Sequence, residues 1–184
     1  MSLLDREIPE EYLEEQTSHV AAEKKKQIET GAKSIVIFRI ATEWWALPTA
    51  VFQGVDDDSP THTLPHDRSG ILNGLVNIRG ELLLSVSLAA LLQLEKDTEV
   101  SRDLKPASCG RLLICSRKGS RLVFPVNEVH GVHRYHPKEL REVPVTLAKA
   151  GAGAYIVGVL PWEGKTVGCM DDELLFYAVD KGLT

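Results

Sequence analysis

The sequence predicts a mainly β domain built as two similar halves and preceded by an acidic helical extension. Three observations support this prediction. Charged residues crowd into residues 1–33, short apolar segments with a period of two begin at Ser34, and two blocks of the chain resemble each other in the same order. The segments do not alternate as strand, helix and strand, which argues against a parallel α/β sheet.

The composition excludes several classes of protein. The chain has 184 residues, a net charge of −5, 43% hydrophobic residues and 26% charged residues, as ordinary globular domains do. A mildly acidic chain predicts no nucleic-acid partner, and no apolar run reaches the roughly 18 residues that membrane insertion needs. Three cysteines without a Cys-x-x-Cys pair, and an N-terminus without signal-peptide features, predict free, packed thiols and a cytoplasmic location.

Residues 1–33 form the predicted helical extension. They contain eight acidic and five basic residues. Pro9 and the glutamates that follow it suit a first helical turn, Lys24, Lys25 and Lys26 suit the last turns, and Gly31 suits a helix end. The apolar stripe on this helix is sparse, so a solvated helix and a helix that docks on a partner both stay open. The remaining domain is expected to cover residues 34–180.

From Ser34 onward the pattern predicts short strands, one short helix and a closing helix. The tight reversal between two of the strands is placed at Gly80-Glu81, residues 95–106 are expected to form a loop, and Asp56 to Asp58 are read as a solvated loop. The short helix is Leu88–Leu92 and the closing helix is Asp171–Val179. The predicted strands are Ser34–Ile40, Trp44–Val55, Leu75–Arg79, Leu82–Val86, Arg111–Ser116, Arg121–Val126, Glu128–His133, Tyr155–Leu160 and Thr166–Met170.

The two halves of the domain resemble each other in two blocks, each of which aligns at its own constant offset. Residues 71–92 match residues 155–176 at an offset of 84, so that Gly74 meets Gly158 and Gly80 meets Gly164. The earlier strands match at an offset of 77. Strands this short leave exposed edges, and closing each half into a small barrel removes them. We therefore expect two small barrels packed together.

No motif supports enzymatic catalysis or a cofactor. Gly164-Lys165-Thr166 resembles the end of a phosphate-binding loop, but that motif's first glycine is missing. His130, His133 and His136 are the best metal candidates, although a strand would place His133 on the face opposite the other two. A binding module without catalytic residues, cofactor or metal is the favoured interpretation. A β-barrel sensor that binds a small ligand or a metal through these three histidines remains the alternative.

One segment is similar to a known family. The run Gly74-Leu-Val-Asn77-Ile-Arg79-Gly80, followed by a short leucine-rich helix, resembles the central signature of the CheW family of chemotaxis coupling proteins. The resemblance extends in order over residues 34–180. Its other matching segments are Ile37-Phe38-Arg39, Trp45-Ala46-Leu47-Pro48, Val51 to Val55, Leu64-Pro65, Arg121 to Val129 and Gly158 to Leu175.

The resemblance implies a fold and a function. The fold would be two intertwined five-stranded SH3-like β-barrels with a shared core. The protein would be a non-catalytic adaptor that couples the cytoplasmic tip of a methyl-accepting chemoreceptor to a CheA-type histidine kinase, by binding the regulatory domain of that kinase. It would lie in the cytoplasm, be recruited to membrane-associated receptor arrays, and not insert into the membrane itself.

The resemblance also assigns site residues. Receptor binding falls on Phe52, Gly74, Asn77 and Arg79, along the groove between the barrels, and kinase binding falls on the strand that ends near Val55. From the residue alone, the Arg79 guanidinium can bind a partner's carboxylate or brace its own hairpin, and both roles stay open.

Two positions depart from the family pattern. Ser87 stands where an aspartate is common, and Glu163 stands in the second half where the first half has Arg79.

The extension and Trp44-Trp45-Ala-Leu-Pro resemble coupling proteins of an alternative, surface-sensing (Wsp-type) chemosensory pathway.

Overall fold

The computed structural model describes residues 31–63, 70–94, 110–144 and 151–182. Residues 1–30 of the predicted extension, the Leu64-Pro65 pair, the predicted loop at 95–106 and Cys109 lie outside these ranges. The strands are β1 Lys33–Ile40, β2 Glu43–Pro48, β3 Phe52–Asp57, β4 Thr61–His62, β5 Leu72–Ile78, β6 Glu81–Val86, β7 Arg111–Arg117, β8 Ser120–Val126, β9 Glu128–Tyr135, β10 Ile156–Trp162 and β11 Lys165–Met170. The α-helices are α1 Leu88–Leu91 and α2 Asp172–Gly182, and 3-10 turns span Pro137–Glu139 and Gly151–Tyr155.

The strands form two sheets, which confirms the mainly β fold class. One sheet has five strands in the order β10-β11-β2-β1-β9, and the other has six in the order β3-β7-β8-β6-β5-β4. Neighbouring strands are antiparallel except for β2 with β11 and β6 with β8, which are parallel. The sixth strand, β4, has only two residues, so each sheet has five principal strands.

Each sheet is built from both halves of the chain. Strands β1 and β2 of the first half join β9, β10 and β11 of the second half, whereas β7 and β8 join β3, β5 and β6. The intertwined arrangement implied by the family resemblance is therefore confirmed. The simpler expectation that each half closes on itself is wrong, because each half places two strands in one sheet and the rest in the other. The sheets are barrel-like, and their described end strands are not hydrogen-bonded to each other.

The duplication reaches the level of strand register. Trp45 pairs with Gly168 where β2 meets β11, and the positions offset by 77 and 84, Leu122 and Leu84, pair where β8 meets β6. The breaks in strand pairing also fall at equivalent residues. The break between β1 and β9 matches the one between β3 and β7. The break between β5 and β6 matches the one between β10 and β11. Chance similarity between hairpins would not reproduce these pairings.

The buried apolar residues form three clusters. One lies within the five-stranded sheet and includes Ile37 and Trp162, and one lies within the six-stranded sheet and includes Ile78 and Ile114. The third combines residues of both sheets with α1 and α2, so it is the shared core between the halves. Burial raises the pKa of the Cys115 thiol to about 12 and that of the Cys169 thiol to about 11, and both cysteines are free, as predicted.

Three local predictions need correction. The predicted strand Trp44–Val55 is interrupted by a turn, in which the Val51 N–H donates to the Pro48 carbonyl at 3.2 Å. The β5–β6 reversal uses Arg79-Gly80 rather than Gly80-Glu81. Asp56 and Asp57 are the last residues of β3 rather than a solvated loop, and both form ion pairs with arginines.

Candidate partner-binding site

The family-like signature forms the β5–β6 hairpin. Arg79 and Gly80 both have positive φ, +52° and +91°, as a two-residue type I′ turn requires. The Asn77 Oδ1 accepts a hydrogen bond from the Gly80 N–H at 2.8 Å. Asn77 and Gly80 therefore fix the turn, and Arg79 is carried at its tip with 81% of its side chain exposed.

Arg79 contacts β3, although β7 and β8 lie between β3 and the β5–β6 hairpin in the sheet order. Its Nε lies 3.5 Å from Asp56 Oδ2, and the Asp56 side chain is 30% exposed. An ion pair this open to solvent contributes little to stability, about 0–1 kcal/mol. The guanidinium therefore keeps most of its hydrogen-bonding capacity for a group outside the chain.

Strand β3 carries the apolar part of the candidate site. It is the end strand of the six-stranded sheet, so it pairs with β7 on one side only among the described strands. Phe52 and Val55 are half-buried and pack against the shared core. Part of each side chain therefore packs against the core, and the rest is exposed to solvent. The edge of β3 offers apolar contact together with unpaired backbone groups.

Gly74 has a packing role in the same sheet. It is buried, has a φ of +136°, and passes so close to β4 that a Cβ at this position would overlap the His62 carbonyl oxygen. Only glycine allows β5 and β4 to approach in this way. The Arg79–Asp56 ion pair therefore joins the hairpin to β3, and Gly74 is buried where β5 approaches β4.

Arg121 on β8 was not among the site residues predicted from the sequence. Its Nε–H donates to Gln53 Oε1 at 2.8 Å, and its guanidinium forms an ion pair with Glu81. The strand pattern around Arg121 does not predict which neighbouring strands this side chain reaches. Those partners depend on sheet order, which no local pattern in the sequence contains.

The comparisons with known proteins bear directly on this geometry. The family model described as CheW-like domain matches residues 34–180. This chain belongs to the CheW-like domain family. The fold of this CheW-like domain is similar to the crystal structure of the scaffolding protein TtCheW from Thermoanaerobacter tengcongensis, with a TM-score of 0.60 and 21% identity over 76% of this chain and 88% of that one. Among curated proteins no match was found.

Family membership confirms the resemblance found in the sequence. A CheW-like domain is a chemotaxis adaptor module of signal transduction, and the β-rich fold agrees with it. In the part of the chain that the structure describes, no helix is long and apolar enough to cross a membrane.

The three histidines of the alternative interpretation do not converge in this CheW-like domain. The His130 ring packs edge-on against Trp162, with centroids 4.4 Å apart, and lies in the break of the β1–β9 pairing, whereas His133 pairs with Ile35 of β1. His136 begins the first 3-10 turn, where its Nδ1 accepts the Lys138 N–H. Within the described ranges, no group of three or more His, Cys, Asp or Glu side chains could hold a metal ion.

The surface cavities lie away from the candidate site. Three cavities of about 390, 470 and 540 Å³ have linings that include none of Phe52, Val55, Asn77 and Arg79. These three cavities therefore give no reason to interpret the candidate site as a small-ligand pocket.

Proposed function

We propose that this CheW-like domain is a non-catalytic adaptor that joins the cytoplasmic tip of a methyl-accepting chemoreceptor to a CheA-type histidine kinase. The main supporting observation is the signature hairpin, which holds Arg79 at its tip beside the half-buried edge strand β3. A charged donor next to an apolar edge is a suitable surface for binding a helix or a second sheet.

Receptor binding is proposed for Phe52, Gly74, Asn77 and Arg79. Arg79 supplies an exposed guanidinium that can exchange its long Asp56 contact for a carboxylate or a helix C-terminus of the receptor. Phe52 supplies apolar area, and truncating such an anchor commonly weakens binding strongly. Asn77 and Gly74 act from within the fold, because one fixes the hairpin turn and the other allows the close β4–β5 contact.

Kinase binding is proposed for the edge of β3 near Val55. Val55 has a partly open side chain, and the outer edge of its strand is unpaired among the described residues. The regulatory domain of the kinase would cover this edge. The receptor would then recruit the adaptor to membrane-associated arrays without insertion of the adaptor itself. In this proposal the adaptor domain covers residues 34–180, and residues 1–33 are an extension.

The test is the charge reversal Arg79→Glu in the full chain. We expect this variant to lose measurable binding to a purified receptor cytoplasmic tip, because the new carboxylate repels the groups that the guanidinium attracts. Circular dichroism and Tm should stay unchanged, since the Arg79–Asp56 pair is mostly exposed. Arg134→Glu, an exposed position on β9, is the matched control and should bind normally. Unchanged affinity of Arg79→Glu would refute the site assignment.

A further inference from the structure

Arg121 connects the two elements of the proposed binding surface. It lies on β8 in the interior of the six-stranded sheet and faces outward, with 35% of its side chain exposed. Its Nε–H donates to Gln53 on β3 at 2.8 Å, and its guanidinium pairs with Glu81 on β6. A single side chain thus reaches across the sheet from the edge strand to the hairpin.

The partners of Arg121 adjoin the proposed contact residues. Gln53 follows Phe52 and occupies the break in the β3–β7 pairing, where the strand is least constrained by its ladder. Glu81 follows the Arg79-Gly80 turn and is the first residue of β6. A displacement of Gln53 or Glu81 therefore displaces Phe52 or Arg79.

The equivalent place in the five-stranded sheet is also occupied by a bridging group. At offsets of 77 and 84, Arg121 corresponds to Trp44, Gln53 to His130, and Glu81 to Lys165. Trp44 packs on Trp162 at 5.2 Å, Lys165 Nζ lies 4.3 Å from the Trp44 ring centroid, and His130 packs on Trp162. In both sheets, side-chain contacts link the end strand to the hairpin at this point. In the six-stranded sheet, Arg121 makes the link with a hydrogen bond and an ion pair.

We propose that Arg121 is a positioning residue for the adaptor: it holds β3 and the β5–β6 hairpin in one arrangement, so that Phe52, Val55 and Arg79 form a single binding surface. This inference rests on the proposed function. A second link, between Arg79 and Asp56, joins the same two elements, but it is longer and more exposed. When a partner takes up the Arg79 guanidinium, Arg121 is the link that remains.

The test compares Arg121→Ala with Arg121→Lys and with the control Arg111→Ala in the full chain. Arg111 also pairs with a carboxylate of β3, Asp57, but its contact does not reach the hairpin. In the free protein, hydrogen exchange of the β3 and hairpin amides should be about fivefold faster in Arg121→Ala, since local opening becomes easier. Arg111→Ala should leave hairpin exchange unchanged. The Tm of each variant should change little, because exposed ion pairs contribute only about 0–1 kcal/mol to stability.

Binding gives the second readout. Arg121→Ala should weaken binding to the receptor tip about fivefold to tenfold, as loss of one organising contact at an interface does. Arg121→Lys should recover part of this loss because an ammonium can keep one of the two contacts. If wild-type protein binds, Arg79→Glu does not, and Arg121→Ala binds like wild type, the positioning role alone is refuted. Unchanged hairpin exchange in Arg121→Ala also refutes it, and failure of the wild-type protein to bind refutes the proposed function together with this role.

Discussion

Gly74 shows how strongly one residue type is determined by the path of the chain. Its φ of +136° and its contact with the backbone of β4 each require the absence of a Cβ. Gly158, at the equivalent position in the second half, is enclosed in the same manner, by the Leu140 side chain and the Arg141 carbonyl. The sequence alignment of the two halves identified both glycines, but it could not show which segment approaches them.

We expect Gly74→Ala to destabilise the protein by at least about 2 kcal/mol, because an unfavourable backbone conformation adds to a backbone clash. Gly54→Ala on β3 is the control, since a Cβ there meets no atom within 4 Å, and its change should stay within about 0.5 kcal/mol. Equilibrium urea denaturation measures the free energy of unfolding of both variants. Equal stabilities of the two variants would contradict the close approach of β4 to Gly74.

Arg79 marks the limit of prediction at the residue scale. The residue types around it predict a hairpin and leave both roles of the guanidinium open, and the structure places Arg79 in the turn with 81% of its side chain exposed. The Asp56 contact and the neighbouring Arg121 bridge were not predicted, because both join residues far apart in the sequence. Local chemistry can be read from the chain, whereas the partner of a side chain depends on the sheet order.

Ser87, at the start of helix α1, stands where the family pattern commonly has an aspartate. Ser87 caps the helix, and its Oγ accepts the Ala90 N–H at 3.2 Å. In the second half, Asp171 takes the equivalent place, and its Oδ1 accepts the Glu173 and Leu174 N–H groups at 2.9 and 3.0 Å. Serine therefore preserves the capping interaction that aspartate makes elsewhere in the fold.

Ser87→Ala should cost about 1 kcal/mol of stability, because the Ala90 N–H loses its acceptor at the start of a helix whose leucines lie in the shared core. Ser87→Asp is the matched variant and should be within about 0.5 kcal/mol of wild type, since an aspartate also caps. Thermal and urea unfolding of the wild type, Ser87→Ala and Ser87→Asp would measure these differences in stability. An alanine variant as stable as wild type would show that the cap makes no net contribution.

Strands with a clear apolar periodicity in the sequence were predicted well, whereas strands that depend on tertiary pairing were not. The alternating apolar residues of β1, β7 and β8 and the glycine-containing turns gave strands near their observed positions. The two-residue strand β4 was missed because Thr61–His62 has no periodicity of its own and pairs only through β5. Strand β3 was joined to β2 because its apolar residues continue past Pro48.

The exchange of strands between the halves governs the behaviour of the whole molecule. Each sheet needs two strands from one half and at least three from the other, and the shared core contains residues of both. The similarity of the halves was predicted from the sequence. An intertwined arrangement was implied only by the family resemblance, and the pairing of β1 with β9 was not predicted, because periodicity does not specify which strand is the partner.

Cutting the chain between residues 100 and 101 tests this interdependence. Neither fragment alone should unfold cooperatively as a monomer, because each retains only part of both sheets and of the shared core. Mixing the fragments should restore the wild-type circular dichroism and a cooperative urea transition. If either fragment gave a cooperative transition by itself as a monomer, the halves would be independent folding units.

The intertwined duplication also has a consequence for stoichiometry. Two identical copies of one repeat could supply all ten principal strands only by exchanging them, as in a domain-swapped dimer, and such a symmetric assembly would display every outer surface twice. In a single chain the two copies are free to diverge, so the hairpin tip that is arginine in one is glutamate, Glu163, in the other. One polypeptide then offers one Arg79-type contact, and under the proposed function it would hold one receptor end through that contact.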